Sequence, residues 1–174
     1  MARSKSTTQT TRINGARVIL RTSASGKVTI KPAPVLEIEM QTEAVRQIRK
    51  LPGYTASIEK LTDGGFTLAA DQNGSGYRSK KAATKFKAAG MTAGEPDVRL
   101  YFGGGVLRAL EFKAKNGALT DSQKIRFPLL RALGFQIEVV ESDSIEDAAS
   151  QAVAIVREWI ANNDNNKLLL ALEC

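Results

Sequence analysis

Three residues of this sequence, two acids and a lysine, are candidates for a reactive site. One acid precedes a glycine triplet, and the other acid and the lysine follow it. Asp97 opens an apolar run at 98–102, and Glu111 and Lys113 lie in a second apolar run that follows Gly103-Gly104-Gly105. A glycine triplet favours a turn, so the two runs predict a hairpin that returns Glu111 to the neighbourhood of Asp97. Because side chains alternate along a strand, Glu111 and Lys113 are expected on one face of it.

Two neighbouring carboxylates repel each other unless a cation lies between them. Hard oxygen ligands suit Mg²⁺ or Mn²⁺, whereas zinc prefers nitrogen and sulfur. The chain has no His and its single Cys is the last residue, which excludes a conventional zinc site. A lysine beside such a metal can stabilise charge on a phosphate or help to position the attacking water. The pattern therefore indicates metal-assisted hydrolysis of a phosphodiester.

The same residues carry a resemblance to a known nuclease signature. Pro96-Asp97 followed by Glu111-Phe112-Lys113 resembles the PD-(D/E)xK signature of metal-dependent nucleases. With Gly94, Gly117 and Gln123 added, the pattern resembles the virus-type replication-repair nuclease (VRR-NUC) family. The resemblance covers residues 37–159, and its specific part is 94–123. It implies an α/β fold, a restriction-endonuclease-like core of order αβββαβα with a mixed central sheet flanked by helices.

The resemblance also implies roles for particular residues. The expected catalytic residues are Asp97, Glu111, Lys113, Gln123 and Glu37, and the expected metal ligands are Asp97, Glu111, Phe112 and Glu37. Glu37 falls on the core-facing stripe of a helix predicted over 35–51, where an acid needs a partner; the alternative is a helix-start carboxylate favoured by the macrodipole. Gln123 stands three residues after Thr120 in capping-box form, so the alternative for it is a helix cap and nothing else.

Positive charge is concentrated in two segments. The net charge is +7; residues 1–31 hold seven basic and no acidic residues, and residues 72–94 hold five basic and no acidic residues. Such segments would orient the protein on a polyanion such as DNA, and the alternative is a solvated basic tail. The residues predicted to contact DNA are Arg17, Arg21, Lys27, Arg78, Lys80, Lys81, Lys85, Lys87, Lys115 and Lys124.

The sequence indicates that the chain is divided into three segments. Residues 1–33 are a basic N-terminal arm in which Asn14-Gly15 is a hairpin turn signal, so a β-ribbon is expected. Residues 34–161 are the nuclease domain, and 162–174 are an Asn-rich linker and a Leu-rich tail. Before the hairpin, the domain is expected to contain a helix at 35–51, paired strands at 54–61 and 65–70, and a basic helix at 80–89. After it, we expect a helix that begins at the Thr120 cap, a strand at 135–140 and a helix at 145–160. Leu129, Leu130 and Leu133 of the helix after Thr120 are expected in the core.

Length and composition narrow the class of protein. A chain of 174 residues with 43% hydrophobic residues fits one domain with an arm. One terminal Cys indicates a reducing compartment without disulfides. The N-terminus lacks the apolar core of a signal peptide, and no apolar run approaches 18 residues. We therefore expect a cytoplasmic protein, bacterial or from a phage, with no membrane partner.

The function predicted from these features is a Mg²⁺-dependent DNA endonuclease in phage or bacterial replication or repair, in which Mn²⁺ substitutes. Selectivity for branched DNA, such as a Holliday junction, is expected from the resemblance. The alternatives are a restriction-like or exonuclease activity on the same core, and a non-catalytic DNA-binding protein on a nuclease fold. A homodimer is also expected, because resolving a junction takes two sites related by a two-fold axis. Its predicted contact surfaces are the ribbon at 10–31 and the tail at 168–172.

Overall fold

The computed structural model of this chain describes residues 5–70 and 80–172. The chain divides into two compact units, Met1–Val35 and Leu36–Cys174. The first is a three-stranded antiparallel sheet of order β1-β2-β3, made of β1 (Thr7–Ile13), β2 (Ala16–Thr22) and β3 (Val28–Pro32). Asn14 and Gly15 have φ of 49° and 83°, the positive values that a two-residue hairpin turn requires. The predicted β-ribbon is confirmed.

The strand register separates the side chains of this sheet into two faces. Leu20 pairs with Gln9 and Ile30, whereas Arg21 pairs with Thr8 and Thr29. Paired residues share a face, and neighbours along a strand lie on opposite faces. One face therefore carries the aliphatic residues Ile13, Val18, Leu20, Val28 and Ile30. The other, which we call the basic face, carries Arg12, Arg17, Arg21 and Lys31 together with Ile19.

The second unit has a four-stranded mixed sheet of order β4-β5-β6-β7, in which β4, β5 and β6 are antiparallel and β7 is parallel to β6. Its elements are α1 (Glu37–Ile48), β4 (Phe66–Ala70), α2 (Lys80–Ala88), β5 (Val98–Phe102), β6 (Leu107–Ala114), α3 (Asp121–Ala132), β7 (Gln136–Ser142) and α4 (Ile145–Leu172). This order is the predicted αβββαβα core with α2 inserted between its first two strands. The predicted fold class is confirmed.

Helices cover both faces of the sheet. On one face α1 packs against α4, whose buried residues include Ala148 and Ala152. On the other face Phe127 of α3 packs against Ala109 of β6 and Ile137 of β7. Because side chains alternate along β6, the face that holds Ala109 also holds Glu111 and Lys113. The two site residues of β6 therefore lie on the α3 side of the sheet.

The predicted strand at 54–61 is wrong. Tyr54 forms a single bridge to Phe66, and Ile58–Lys60 is a 3₁₀ turn. The Thr55 hydroxyl donates to the Ser57 carbonyl (2.9 Å) and accepts from the Ser57 amide (3.1 Å). Local side-chain hydrogen bonds of this kind compete with a strand ladder, and here they turn the chain away from β4.

The predicted end of the last helix at Ile160 is also wrong, since α4 is a single helix that continues to Leu172. Asn lowers helix propensity by less than about 1 kcal/mol per residue, and residues 145–172 contain no Gly or Pro that would end the helix. Asn163 is buried, so the helix packs against the rest of the unit beyond Ile160. The tail at 168–172 is therefore helical rather than a separate segment after a linker. No helix within the described residues, α4 included, is long and apolar enough to cross a bilayer.

The core contacts of α3 differ in part from those expected. Leu129 and Leu133 are 50% and 64% exposed, so their predicted place in the core is wrong, whereas Leu130 packs against the Phe127 cluster. The buried residues of α3 are Phe127 and Gln123. The helix thus turns a polar residue, Gln123, towards the sheet at the point where Glu111 lies.

Candidate active site

The candidate site forms where one strand ends before its neighbour. β5 pairs with β6 as far as Val98 and Leu110, while β6 continues beside β7 to the pair Ala114 and Ser142. The last four residues of β6 therefore have a neighbouring strand on the β7 side alone, within the part of the chain that the structure describes. Backbone groups on the open side need other partners.

Two carboxylates occupy that open edge. The Phe112 amide donates to Asp97 Oδ2 (2.9 Å), and the Ala114 amide donates to Glu37 Oε1 (3.2 Å). Asp97 directly precedes β5, and Glu37 is the first residue of α1. The open edge of β6 thus brings together two acids that are far apart in sequence.

Glu111 is the buried centre of the site, with 1% of its surface exposed. Its Oε1 accepts from Gln123 Nε2 (2.5 Å) and from Lys113 Nζ (2.6 Å), whereas Oε2 is buried and has no hydrogen-bond partner among the described residues. Burial raises the pKa of Glu111 and the charge of Asp97 raises it further, against the opposing effects of Lys113 and Gln123. One oxygen of this carboxylate is therefore held in place and the other is available to a ligand.

Lys113 is nearly as buried as Glu111 and lies between carboxylates. Its Nζ is 3.8 Å from Glu37 Oε2 as well as 2.6 Å from Glu111 Oε1. Burial by itself lowers the pKa of Lys113, but the hydrogen bond and charge of Glu111, followed by the charges of Glu37 and Asp97, outweigh it and raise the pKa. Lys113 therefore stays protonated and can act as a fixed positive charge.

Gln123 is both a helix cap and a site residue. Its backbone amide donates to Thr120 Oγ1 (3.3 Å), and its side-chain Oε1 accepts from the Thr120 amide (2.9 Å), which completes the capping box. The other end of the same side-chain amide, Nε2, donates to Glu111. Gln123 is therefore more than a helix cap, because it also contacts Glu111, and its catalytic role stays a prediction.

The loop before Asp97 begins with Gly94 because a larger residue would not fit against the start of α3. Its φ is +87°, and an added Cβ would lie 2.6 Å from the carbonyl carbon and oxygen of Ser122 and 2.9 Å from the Gln123 amide nitrogen. The loop at 94–97 therefore lies directly against the first turn of α3. This close approach fixes Asp97, the last residue of the loop, relative to Gln123, which belongs to that turn.

Glu95 is a residue of the site that the sequence analysis missed. Its Oε1 binds Arg126 of α3 (2.6 Å from Nε), and its Oε2 binds Arg99 of β5 (2.6 Å from Nη2). The available signal was that Glu95 is the single acid between residues 72 and 96, in a segment that is otherwise basic. An isolated acid among basic residues is a candidate for a fixed ion pair.

The residues present fit a divalent cation. Glu111 Oε2 is a buried oxygen without a partner in the described structure, and Asp97 supplies a second carboxylate nearby. A strand residue directs its N–H and C=O to the same side, so the Phe112 carbonyl faces the side on which its amide meets Asp97. Among the described residues, no three His, Cys, Asp or Glu form a group that could hold a metal. Two carboxylates and one carbonyl leave room for the several waters that Mg²⁺ retains.

Glu37 lies beside this set rather than within it. Its two oxygens contact the Ala114 amide and Lys113. The role of Glu37 as a metal ligand stays a prediction, while its contact with Lys113 is a structural fact. The sequence indicated that an acid at this position needs a partner. Glu37 has two, the Ala114 amide and Lys113, in addition to any effect of the helix macrodipole.

The site opens into a cleft of about 970 Å³. Lys87 and Arg126 contribute positive charge to its wall, and Met91, Ile125 and Leu129 contribute apolar surface. Asp97, Glu111, Lys113, Gln123 and Glu37 also line it. A cleft of this volume that combines acids with a basic wall suits a charged, extended ligand.

The other residues predicted to contact DNA lie in several places. Lys115 pairs with Asp143 (2.8 Å) and Lys124 with Asp121 (3.0 Å), both as exposed ion pairs, which contribute little energy and can exchange partners. Lys85 is exposed on α2, and the backbone of Lys80 and Lys81 forms the start of that helix. Arg78 lies outside the described residues. Arg17, Arg21 and Lys27 belong to the N-terminal unit. Their contacts with DNA stay predictions.

Comparisons with known proteins support the fold. No protein-family model matches this sequence, and no curated protein matches it. Among solved structures, a chain described as a "VRR_NUC domain protein" is similar with a TM-score of 0.50 and 20% sequence identity, over 74% of this chain and 91% of that one. At this identity the likeness shows a shared fold.

Proposed function

We propose that this chain is a metal-dependent nuclease of the VRR-NUC family that hydrolyses phosphodiester bonds in DNA, with Mg²⁺ as its cofactor and Mn²⁺ able to substitute. The observation that carries the proposal is the buried, unpartnered Oε2 of Glu111 beside Asp97, within reach of the protonated Lys113. The fold shared with a VRR_NUC domain protein and the motif residues gathered in one cleft support the same conclusion.

Each residue of the site then has a definite task. Asp97, Glu111 and the Phe112 carbonyl would hold the metal, which when bound polarises a phosphate oxygen and acidifies a water. Gln123 donates through Nε2 to Glu111 Oε1, which holds that carboxylate and leaves its Oε2 for the metal. The Lys113 ammonium stabilises negative charge that develops on the phosphate, and Glu37 holds that ammonium from its other side.

The test is cleavage of a covalently closed plasmid and of end-labelled oligonucleotides, with Mg²⁺ titrated against EDTA. A closed circle has no ends, so nicking or linearisation of the plasmid in Mg²⁺ supports an endonuclease. Degradation of linear DNA alone would assign an exonuclease instead. Binding without cleavage of either substrate, at every metal concentration, would contradict the proposal and favour a non-catalytic DNA-binding protein.

We further propose that the enzyme is a homodimer that prefers branched DNA and acts in the cytoplasm of a bacterium or of a phage-infected cell. One site cuts one strand, so symmetric resolution of a junction needs two sites related by a two-fold axis. The edge strands β1 and β3 and the end of α4 at 168–172 are the proposed contact surfaces. Light scattering that gives the monomer mass, at concentrations where the protein cuts DNA, would contradict the dimer and leave a nicking enzyme.

A further inference from the structure

Glu95 and Arg126 form an ion pair that lines the cleft outside the proposed metal site. Arg126 binds Glu95 Oε1 through Nε (2.6 Å) and Nη2 (2.5 Å), while Arg99 binds Glu95 Oε2 through Nη2 (2.6 Å). The Glu95 side chain is 14% exposed and that of Arg126 is 27% exposed. Because one carboxylate is shared by two guanidinium groups, the cluster carries one net positive charge.

This cluster is tied to the active site on both sides. Arg126 follows Gln123 by three residues on α3, so the two side chains lie on the same face of the helix. Glu95 precedes Asp97 by two residues in the loop that Gly94 holds against α3. Glu95 and Arg126 line the same cleft as Asp97, Glu111 and Lys113.

The pairing leaves part of the Arg126 guanidinium for a ligand. Arg has five N–H donors in a planar fork, and Glu95 engages the edge formed by Nε and Nη2. Within the described part of the chain, Nη1 donates to no residue. A guanidinium that is already held in one plane loses less side-chain entropy when it binds a second anion.

We propose that Arg126, held in place by Glu95, binds a backbone phosphate of the nucleic acid strand beside the phosphate that is cleaved. The inference rests on the proposed nuclease function and adds a binding residue to it. Arg is suited to this task because its fork matches the geometry of phosphate oxygens. The contact positions the strand and carries no sequence preference.

The first test is equilibrium binding of a fluorescent DNA duplex to the full chain in EDTA, measured across a range of salt concentrations. Arg126→Met is expected to weaken binding about tenfold and to reduce the salt slope by about 0.9, the value for one phosphate contact. Arg126→Lys, which keeps the charge and loses the fork, should recover part of the affinity. Unchanged affinity and slope in Arg126→Met would overturn the inference.

Arg46→Met is the matched control. Arg46 binds Glu43 through the same atoms, Nε (2.7 Å) and Nη2 (2.5 Å), but lies on α1 outside the cleft. Its removal subtracts the same charge and is expected to change DNA affinity by less than about twofold, as for an exposed charge away from the contact. A loss equal to that of Arg126→Met would show a general charge effect and overturn the assignment.

A kinetic measurement separates binding from a purely structural role. A phosphate contact made equally in the bound substrate and the transition state raises KM and leaves kcat unchanged, so Arg126→Met should show this pattern. A fall in the unfolding temperature with KM and kcat unchanged in the folded protein would mean a structural strut, and would overturn the inference. If the wild-type chain cleaves DNA and Arg126→Met matches it, this inference fails alone; if the wild type neither binds nor cleaves, the proposed function fails with it.

Discussion

Asp97 and Glu37 accept hydrogen bonds from alternate amides of one strand edge, those of Phe112 and Ala114 in β6. They occupy the positions that a longer β5 would fill, since β5 pairs with β6 only as far as Leu110. The early end of β5 therefore has two consequences. The amides of Phe112 and Ala114 are left without a strand partner, and the carboxylates of Asp97 and Glu37 accept their hydrogen bonds instead. Both carboxylates are thereby held beside Glu111 and Lys113.

The first prediction concerns the two proposed carboxylate ligands. Asp97→Asn and Glu111→Gln are expected to abolish Mg²⁺-dependent cleavage, because each replaces an anionic ligand by a neutral one. The fold should persist, since the side-chain oxygen of the introduced asparagine can still accept from the Phe112 amide. Plasmid cleavage with circular dichroism as the folding control tests this. Full activity of either variant, or of the wild type in EDTA, would contradict the assignment.

The second prediction concerns metal binding and pH. Mg²⁺ is expected to raise the unfolding temperature of the wild type and not that of Asp97→Asn; at a hundred times its Kd a ligand adds about 2.7 kcal/mol. Protons compete with the metal for Glu111, whose pKa is raised by burial and by Asp97. The stabilisation by Mg²⁺ should therefore decline with falling pH already above about 4.3, the ordinary value for Glu. A stabilisation by Mg²⁺ that declines only below about pH 4.3 would contradict this.

The same raised pKa fixes the sign of the effect without metal. A carboxyl whose pKa is raised in the folded state contributes stability below its unfolded pKa, and this contribution is lost as pH rises through the folded value. In EDTA at pH 8, Glu111→Gln is therefore expected to unfold at a temperature no lower than the wild type. A clear destabilisation there would mean that ionised Glu111 is favoured by its surroundings.

The third prediction concerns Lys113 and its second partner. Lys113→Ala is expected to lower kcat about a hundredfold, the scale for one electrostatic catalyst. Glu37→Gln, which loosens the hold on Lys113, should cost about tenfold, equivalent to about 1.4 kcal/mol. Glu39→Gln is the control, because Glu39 lies on the same helix and caps its start by accepting from the Leu36 amide. Equal effects of the two Glu variants on kcat would remove the specific role of Glu37.

The fourth prediction concerns the contact between the loop at 94–97 and α3. Gly94→Ala is expected to lower both stability and activity, because its Cβ would lie 2.6 Å from the Ser122 backbone and would force the loop away from the helix. Gly104→Ala is the control for backbone strain, since Gly104 also has a positive φ (75°) but an added Cβ meets nothing within 4 Å among the described residues. The free energy of unfolding of both variants should fall by about 1–2 kcal/mol because of the strained φ. That of Gly94→Ala should fall further because of the clash with Ser122. Equal unfolding temperatures and rates would contradict the proposed contact.

The fifth prediction concerns the basic face of the N-terminal unit. Arg12 and Arg17 are directly opposite each other in the register, an arrangement of like charges that disfavours the sheet and that a bound polyanion would relieve. Replacing Arg21 and Lys31 by Gln, or deleting residues 1–31, is expected to weaken DNA binding and to leave Mg²⁺ binding unchanged. The salt slope should fall by up to about 0.9 for each phosphate that the protein no longer neutralises. A salt slope equal to that of the whole chain would leave the unit a structural role.

Local features of the fold follow from the sequence alone. The glycine triplet, the Asn14-Gly15 turn and the Thr120–Gln123 box are fixed by dihedral preferences and side-chain chemistry within a few residues. The alternation of β6 likewise places Glu111 and Lys113 on one face, because the period of a strand is two residues. These signals were sufficient for the hairpin and for the order of the elements from β5 to α4; the class of chemistry that they indicate stays a prediction.

Tertiary packing decided the remainder. The contact of Glu37 with the Ala114 amide spans 77 residues and that of Arg126 with Glu95 spans 31, so no local pattern records either. The exposure of Leu129 and the continuation of α4 through its Asn residues depend on which surface a neighbouring element covers. Helical periodicity shows that one face of a helix is apolar, but it does not show which element packs against that face. The sequence therefore determined which residues could do chemistry, and the early end of β5 decided which of them meet, because an unpaired strand edge must find its hydrogen bonds elsewhere in the fold.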